Sequence, residues 1–306
     1  MAAIIHQMID YNSAGQPAMA YVEAVAARPE VGSSFAAFHF TKGRALPGEP
    51  GTDLPVALVT FNGAGPLAGI VQNADGVSST MRSGPVFVKN TAWSGNAGRA
   101  DLTGNDTVMQ FGSAIGVDFT DTVQVRAEQV RATESRGFLG AIGTGGFSTS
   151  GGATLQLTGL SLRLHGTTRF GRLGLFATYR QGTARSAYAN SLLSRIDAKL
   201  TQAASGVWWQ DGRNAAALVV SQPLGITGGD MSLKLASGRT DAGAVTYNTP
   251  TVNLTGIRQV NVEAGFTHYI NNQVKVGLNL IYVQHPSNQP GLNHDAGAML
   301  LMGARL

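Results

Sequence analysis

Roughly the last third of the chain alternates apolar and polar side chains, segment after segment, up to the final residue. The alternation is clearest in residues 259–267, 273–282 and 295–306. A period of two places each set of side chains on one face of a β-strand. One set is rich in Asn, Gln, Glu, Lys, Gly and Thr and is too hydrophilic for a buried core, whereas the other is apolar. This pattern is typical of a transmembrane β-barrel, with lipid outside and water inside.

The composition supports the same fold class. Only 13% of the residues are charged and 40 of 306 are glycine, whereas soluble domains carry roughly 25% charged residues. No stretch approaches the ~18 continuous apolar residues of a spanning helix. A soluble, Gly-rich β-protein such as a solenoid or an adhesin remains the alternative. The net charge of +4 is scattered along the chain, so we expect no nucleic-acid partner.

The pattern divides the chain into two parts. Residues 1–30 have helical spacing of apolar side chains, and residues 31–105 are short apolar stretches broken by Gly, Pro, Asn and Ser. We therefore interpret residues 1–105 as a mixed helical and irregular β segment, a linker or a passenger remnant. Residues 106–306 read as an all-β antiparallel barrel of about twelve strands, since single-chain outer-membrane barrels have even strand numbers. Tight turns at 211–212, 228–229 and 271–272 alternate with longer loops at 182–193 and 287–294.

The two strand faces supply the candidate functional residues. Polar residues of the strands are expected to line the lumen, and they are Arg163, Arg180, Lys199, Lys234, Glu263, Lys275, Asn279 and Arg305. Aromatic residues near strand ends are expected in the interfacial girdles, and they are Trp208, Trp209, Tyr269 and Tyr282. A wetted, charge-paired wall tolerates a passing polypeptide or holds a segment inside the barrel.

The sequence contains no pattern typical of catalysis or of cofactor binding. His285 and His294 flank one loop, but their spacing matches no metal-ligand pattern, and the chain has no cysteine. Residues 143–146 are glycine-rich but lack the Lys-Ser/Thr of a phosphate loop. We therefore expect no enzyme activity, no metal and no cofactor.

Residues 213–306 resemble the C-terminal translocator barrel of autotransporters, particularly those with subtilisin-type serine protease passengers. The resemblance lies in the order of elements: residues 221–224 (SQPL), a Gly-Gly turn, the strand 231–235, residues 252–258, the strand 261–266 and the closing residues 294–306 (HDAGAMLLMGARL). It implies a 12-stranded barrel in the outer membrane of a Gram-negative bacterium. The implied partners are membrane lipid, the barrel-assembly machinery and an N-terminal passenger.

The resemblance also assigns a role to the last strand. The family usually ends in an aromatic residue that belongs to the assembly signal, and this chain ends in leucine. The residues implied to form the signal strand are Ala298, Leu300, Met302, Ala304 and Leu306. Subtilisin motifs are missing from the chain, so any protease activity would belong to a passenger outside it. Residues 1–16 show no export leader, which suggests that the chain is the C-terminal piece of a longer protein or that it is not exported. A porin-like or surface-anchoring barrel without translocation is the alternative function.

Overall fold

The chain folds into antiparallel β-structure. The computed structural model describes residues 5–11, 17–28, 33–41, 54–56, 58, 71–97, 106–120, 122–188, 191–254, 256–271, 274–288 and 293–304. Within these ranges there are two short 3-10 turns and no α-helix, which confirms the all-β prediction. No helix in the described part is long and apolar enough to cross a membrane.

Most of the strands follow one another in a single sheet. In chain order the strands are β1 (Ile5–Tyr11), β2 (Pro17–Arg28), β3 (Ser33–Thr41), β4 (Val71–Ser83), β5 (Val86–Ala97), β6 (Asp106–Thr120), β7 (Val123–Glu134), β8 (Ala153–Thr168), β9 (Gly171–Ala187), β10 (Leu193–Asp211), β11 (Asn214–Leu233), β12 (Leu235–Arg239), β13 (Val245–Asn248), β14 (Thr251–Asn253), β15 (Val260–Tyr269), β16 (Val274–Gln284) and β17 (His294–Ala304). The sheet runs from β1 to β11 in sequence order and continues through β15, β16 and β17. β14 adds to β11, and β12 and β13 form a separate hairpin. Among the described residues no pairing joins β1 to β17.

The connections at the two ends of the sheet differ in length. Two-residue turns at 84–85, 169–170 and 212–213 define the short-turn end. Gly84 adopts a φ of +57° in the first of these turns, a conformation that glycine adopts without steric cost. The opposite, long-loop end carries connections such as 135–152 and 234–259. This asymmetry, which the sequence predicts, is typical of outer-membrane barrels.

The N-terminal part of the chain differs from the expectation. The helical prediction for residues 1–30 is wrong where the structure describes them, because β1 and β2 lie there and pair with each other. Pairing with neighbouring strands overrides the local helical spacing. The sheet continues from β5 to β6, which pair from Val86–Val117 to Ala97–Asp106, and the division of the chain at residue 105 stays a prediction.

Several strand boundaries in the C-terminal part also differ. The described part of residues 106–306 contains twelve strands, β6 to β17, in line with the expected number, but β12 and β13 form a separate hairpin and the other ten belong to the main sheet. The turn predicted at Gly228–Gly229 lies inside β11, where Gly229 has a φ of +113° close to a register shift against β10. The glycine pair therefore accommodates an irregularity within one long strand instead of ending it. Residues 135–152 form a loop rather than a strand.

Candidate functional site: the buried face of the sheet

The sheet has one buried and one exposed face. In β9, Phe176 and Arg180 are almost fully buried. The residues that alternate with them, Leu175 and Tyr179, are 39% and 49% exposed. The same alternation in the neighbouring strands defines a buried face and an exposed face. Large apolar side chains therefore lie in the open, while an arginine is enclosed.

The polarity of the exposed face changes along four consecutive strands, β7 to β10. Toward the long-loop end, the exposed face carries polar residues, namely Gln129, Arg131, Thr133, Thr154, Gln156, Thr158, Gln181, Thr183, Arg185, Arg195, Asp197 and Lys199. Toward the short-turn end, the exposed face of the same strands is largely apolar and includes Val125, Ala127, Leu160, Leu162, Leu164, Leu173, Leu175, Ala177, Tyr179 and Val207. On β7 and β8 the buried face changes in the opposite sense, whereas on β9 and β10 it still carries apolar residues such as Phe176 and Trp208 in the short-turn half. Each of these strands therefore has two halves that suit different surroundings.

The inversion occurs at one level of the sheet. Glu128 of β7 pairs with Gly159 of β8, Gly159 with Arg180 of β9, and Arg180 with Gln202 of β10. We call this row the inversion level. It separates the short-turn half of β7–β10 from the long-loop half. In β9 the short-turn half is residues 171–179, nine residues, which span ~30 Å along the strand.

A buried charge cluster lies at the inversion level. The Arg180 guanidinium donates to Glu128 through Nε, and to Oε1 of Gln202 at 3.2 Å through a terminal nitrogen. Arg126 binds the other oxygen of Glu128. Exposure of these three charged side chains is 7% or less. Gly159 makes this packing possible, because a Cβ there would lie within 3 Å of both Arg180 and Glu128. The cluster is a fixed polar boundary within the buried face.

The long-loop half of the buried face is filled by an apolar core. Its members include Val130, Leu155, Leu157, Ala184, Ile196, Ala198 and Leu200. Phe138 of the 135–152 loop joins this core and pairs with Ala141 in an isolated bridge. The loop thus folds over the end of the sheet and seals its buried face there. In the short-turn half the same face of β7 and β8 is polar, with Arg126, Ser161 and Arg163.

A segment from the β3–β4 connection lies on the short-turn half of the buried face. Val56 is 4% exposed and belongs to one cluster with Trp208, Ala215 and Ala217. Leu54 and Leu58 pack against this cluster and against a second one made by Phe176, Ala204 and Val219. We call the described residues of this connection, Leu54, Pro55, Val56 and Leu58, the inner segment.

Small residues shape the surface under the inner segment. A Cβ at Gly265 of β15 would lie 2.6 Å from Cγ1 of Val56 and 2.8 Å from Cδ2 of Leu58. Gly174 similarly leaves room for the indole of Trp208, and Gly206 for the ring of Phe176. Because the two aromatic rings lie over glycines of neighbouring strands, they form a floor on which the inner segment packs.

Beside this floor the buried face becomes polar again. Glu263 of β15 is 1% exposed and Asn279 of β16 is fully buried. Nδ2 of Asn279 donates to Oε1 of Glu263 at 3.3 Å. A Cβ at Gly265 would also lie 2.9 Å from Oδ1 of Asn279. The inner segment therefore lies between an apolar floor and a polar wall.

Two carboxyl groups are buried at the long-loop end. Oδ1 of Asp106 accepts from Oγ of Ser135 at 3.0 Å and from the backbone N–H of Arg136 at 2.8 Å. Glu134 accepts from two backbone N–H groups of the following turn, at 2.7 and 2.8 Å. Burial raises the pKa of Glu134, and the charge of Asp106 adds to this, while the two N–H donors oppose it. The pair anchors the start of the 135–152 loop.

The structure separates the residues that the sequence predicts to line an interior. Five of them lie on the buried face: Arg163, Arg180, Glu263, Lys275 and Asn279. Lys199 does not, because it is exposed and alternates with the buried Ala198 and Leu200. Its assignment is corrected: β10 is beyond the inversion level at this point, so the polar set faces outward. Lys234 follows β11, with Nζ 4.5 Å from the Tyr247 ring, and Arg305 lies outside the described residues.

The predicted interfacial aromatic residues also divide between the faces. Trp208 is 7% exposed and lies under the inner segment, and Tyr269 shares its side of β15 with the buried Thr267. The burial of Trp208 contradicts the expectation of an exposed ring, whereas Tyr269 is half-buried. Trp209 pairs with Leu173 on the exposed face, and its indole N–H donates to the Phe170 carbonyl at 2.6 Å.

The remaining predicted residues lie toward the C-terminus. Tyr282 is 44% exposed. In β17, Leu300 and Met302 are 75% and 79% exposed, on the same face as Ala298. Ala304 ends the strand, and Leu306 lies outside the described residues. Among the described residues no group of three or more His, Asp or Glu side chains could hold a metal. His285 and His294 are therefore not part of such a group.

Sequence reasoning missed the inner segment and the pairing of Arg126 with Glu128. The segment LPVAL has no periodicity that marks it as part of a buried face. Residues 121–134 are compatible with a helix by spacing, which hides the alternation of Arg126 and Glu128 along β7. The change of alternation phase within β8, from Thr154–Thr158 to Leu160–Leu164, is a signal that could have revealed the inversion.

The comparisons with known proteins give only distant likenesses. No protein-family model and no curated protein matches the chain. Among solved structures, it is similar to the ferric-catecholate import receptor Fiu of E. coli K12, with 8% identity over 94% of this chain and 55% of that one, and a TM-score of 0.43. It is also similar to the copper transporter OprC, with 12% identity over 86% of this chain and 43% of that one, and a TM-score of 0.31. A third similar structure is the CymD monoaromatic hydrocarbon channel, with 11% identity over 76% of this chain and 82% of that one, and a TM-score of 0.29. The chain spans about half the length of the first two, and with TM-scores below 0.5 none of the three defines its function.

Proposed function

We propose that the chain is an outer-membrane β-barrel of a Gram-negative bacterium, held in the bilayer by the short-turn half of its strands. The observation behind this proposal is the change of the exposed face from polar to apolar at one level of β7 to β10. Side chains such as Leu160, Leu173 and Leu175 suit lipid, whereas Gln181 and Arg185, further along β9, suit water. Nine residues of a strand tilted by ~45° rise ~21 Å, close to the ~25 Å apolar band of such barrels.

The proposed role is that of a non-translocating channel that is closed at rest. In the short-turn half the buried face carries Arg126, Arg163 and Glu263, which suit a hydrated passage. In the long-loop half it is filled by the apolar core. A closed state is favoured by this core together with the inner segment.

The translocator role that the autotransporter resemblance implies has less support. In that role a segment preceding the barrel threads its lumen. The described N-terminal residues instead form β1 to β5 of the same sheet. The residues found inside come from the connection between two strands. Both features favour a channel or an anchor over a conduit for a passenger.

Single cysteines introduced into the cysteine-free chain test the membrane placement. Leu175→Cys and Thr183→Cys are a matched pair on the exposed face of β9, on opposite sides of the inversion level. In intact cells a membrane-impermeant maleimide should label position 183 and leave position 175 unmodified until detergent is added. The wild-type protein should also migrate differently on a denaturing gel before and after boiling. Equal labelling at both positions, or purification without detergent and without this shift, would refute the proposal and favour a soluble β-protein.

A further inference from the structure

The polar wall beneath the inner segment is the starting observation. Glu263 and Asn279 are sealed from solvent in a region that, under the proposed function, belongs to the hydrated interior. Removing an ionisable side chain from water carries a desolvation cost. Glu263 accepts a hydrogen bond from the side-chain amide of Asn279. The apolar side chains of Val56 and Leu58 lie close to this pair, next to Gly265. The arrangement suits a wall that is wet in one state and covered in another.

The seat of the inner segment is apolar and shallow. Val56 contacts the surface made by Trp208, Ala215 and Ala217, and it is not part of any described strand. The described contacts of the inner segment are apolar packing contacts. Breaking these contacts disrupts none of the strand pairs that the structure describes.

We infer that the inner segment is a displaceable plug that closes the short-turn half, and that Gly265 is the position that allows it to seat. This inference rests on the proposed function. Displacement exposes the polar wall of Glu263 and Asn279 to water. It opens a passage for small hydrophilic solutes along β15 and β16, whose described residues are not part of the apolar core of the long-loop half. Seating replaces that water with Leu54, Val56 and Leu58.

Substitution at Gly265 provides a direct test. Gly265→Val places a branched side chain where Val56 and Leu58 lie, so it should unseat the plug. Gly112→Val is the matched control, because Gly112 lies in β6 and a Cβ there would meet nothing closer than 3.9 Å. The readout is single-channel conductance of purified protein in planar bilayers, with KCl as the permeating salt. Gel mobility before and after boiling reports whether each variant still forms a barrel.

A second variant leaves the sheet untouched. Val56→Asp puts a carboxylate into the apolar seat, and Val245→Asp, in the exposed β12–β13 hairpin, is its control. An unpaired charge buried in the seated state shifts the equilibrium between the seated and displaced states more than tenfold toward the displaced one. The open probability should therefore rise at least about tenfold for Val56→Asp. Gly265→Val should behave alike, and both controls should match the wild type.

The outcomes separate the inference from the proposed function. If Gly265→Val and Val56→Asp insert as heat-modifiable barrels with the wild-type open probability, the plug is refuted while the membrane placement stands. The plug is also refuted if Gly112→Val opens the channel as much as Gly265→Val, since any added bulk would then act alike. A wild-type protein that never inserts refutes the proposed function and the plug with it. If Gly265→Val does not form a barrel, the open probability of Val56→Asp decides whether the inner segment is a plug.

Discussion

The charge cluster at the inversion level allows a quantitative prediction about stability. Glu128 binds two guanidinium groups, from Arg126 and Arg180, and all three side chains are almost fully buried. The two ways of breaking the cluster differ. Arg180→Met leaves a neutral pair of Arg126 and Glu128, whereas Glu128→Gln leaves two enclosed cations facing each other. The loss of stability should therefore be larger for the glutamate, although each change removes one charged side chain.

The magnitudes follow from the contacts. Arg180→Met removes hydrogen bonds to Glu128 and Gln202, and the methionine still fills most of the space, so we expect a loss of ~2–3 kcal/mol in the free energy of unfolding. Glu128→Gln removes the carboxylate that both guanidinium groups share, and ~3–5 kcal/mol is typical for the loss of the charged partner in a buried ion pair. The double variant should cost less than the sum of the two, because removing Arg180 relieves the repulsion that Glu128→Gln creates. Arg131→Met, on the exposed face of β7, should stay within ~0.5 kcal/mol of the wild type.

Urea unfolding of the protein in lipid vesicles measures these differences. The folded fraction is read from the mobility of unboiled samples, and the free energy of unfolding comes from linear extrapolation. The reasoning fails if Arg180→Met costs more than Glu128→Gln, or if the two losses are simply additive. It fails equally if Arg131→Met is as harmful as Arg180→Met, since burial would then not decide the effect.

Two further predictions concern the halves on either side of the inversion level. Leu175→Arg places a cation on the face that the proposal gives to lipid and should cost ~2–4 kcal/mol at the bilayer midplane, while Thr183→Arg, further along β9, should cost almost nothing; similar losses for both in vesicle unfolding would contradict the membrane placement. The raised pKa of Glu134, caused by burial and by the charge of Asp106, means that its stabilising contribution is fully present below its ordinary pKa of 4.5 and is lost as the pH rises through the raised value. The melting temperature of the wild type should therefore fall relative to that of Glu134→Gln as the pH rises across this window, and a constant difference between the two melting curves would exclude the effect.

The sequence predicts the strands better than it predicts their surroundings. β15, β16 and β17 are read from their alternation to within about three residues at the described ends, because one set of alternate residues stays largely apolar along each strand. The N-terminal strands are not recognised, since local spacing there resembles a helix and pairing with distant neighbours decides the outcome. The plug is invisible for a related reason: Val56 has a function only in relation to Gly265, more than two hundred positions away.

Lys199 and Trp208 show why the faces are harder to assign than the strands. The alternation of polar and apolar residues indicates that the two faces of a strand differ, but it does not indicate which face contacts lipid, protein or water. A strand of 16–20 residues, such as β8 to β11, is longer than the 9–11 residues that cross a bilayer. If such a strand crosses a membrane, part of it must lie outside, where the exposed face must be polar and the enclosed face apolar. The phase of the alternation then has to invert within the strand, as it does between Lys199 and Val207. A single phase applied to the whole of β10 places Lys199 inside and therefore assigns it to the wrong face.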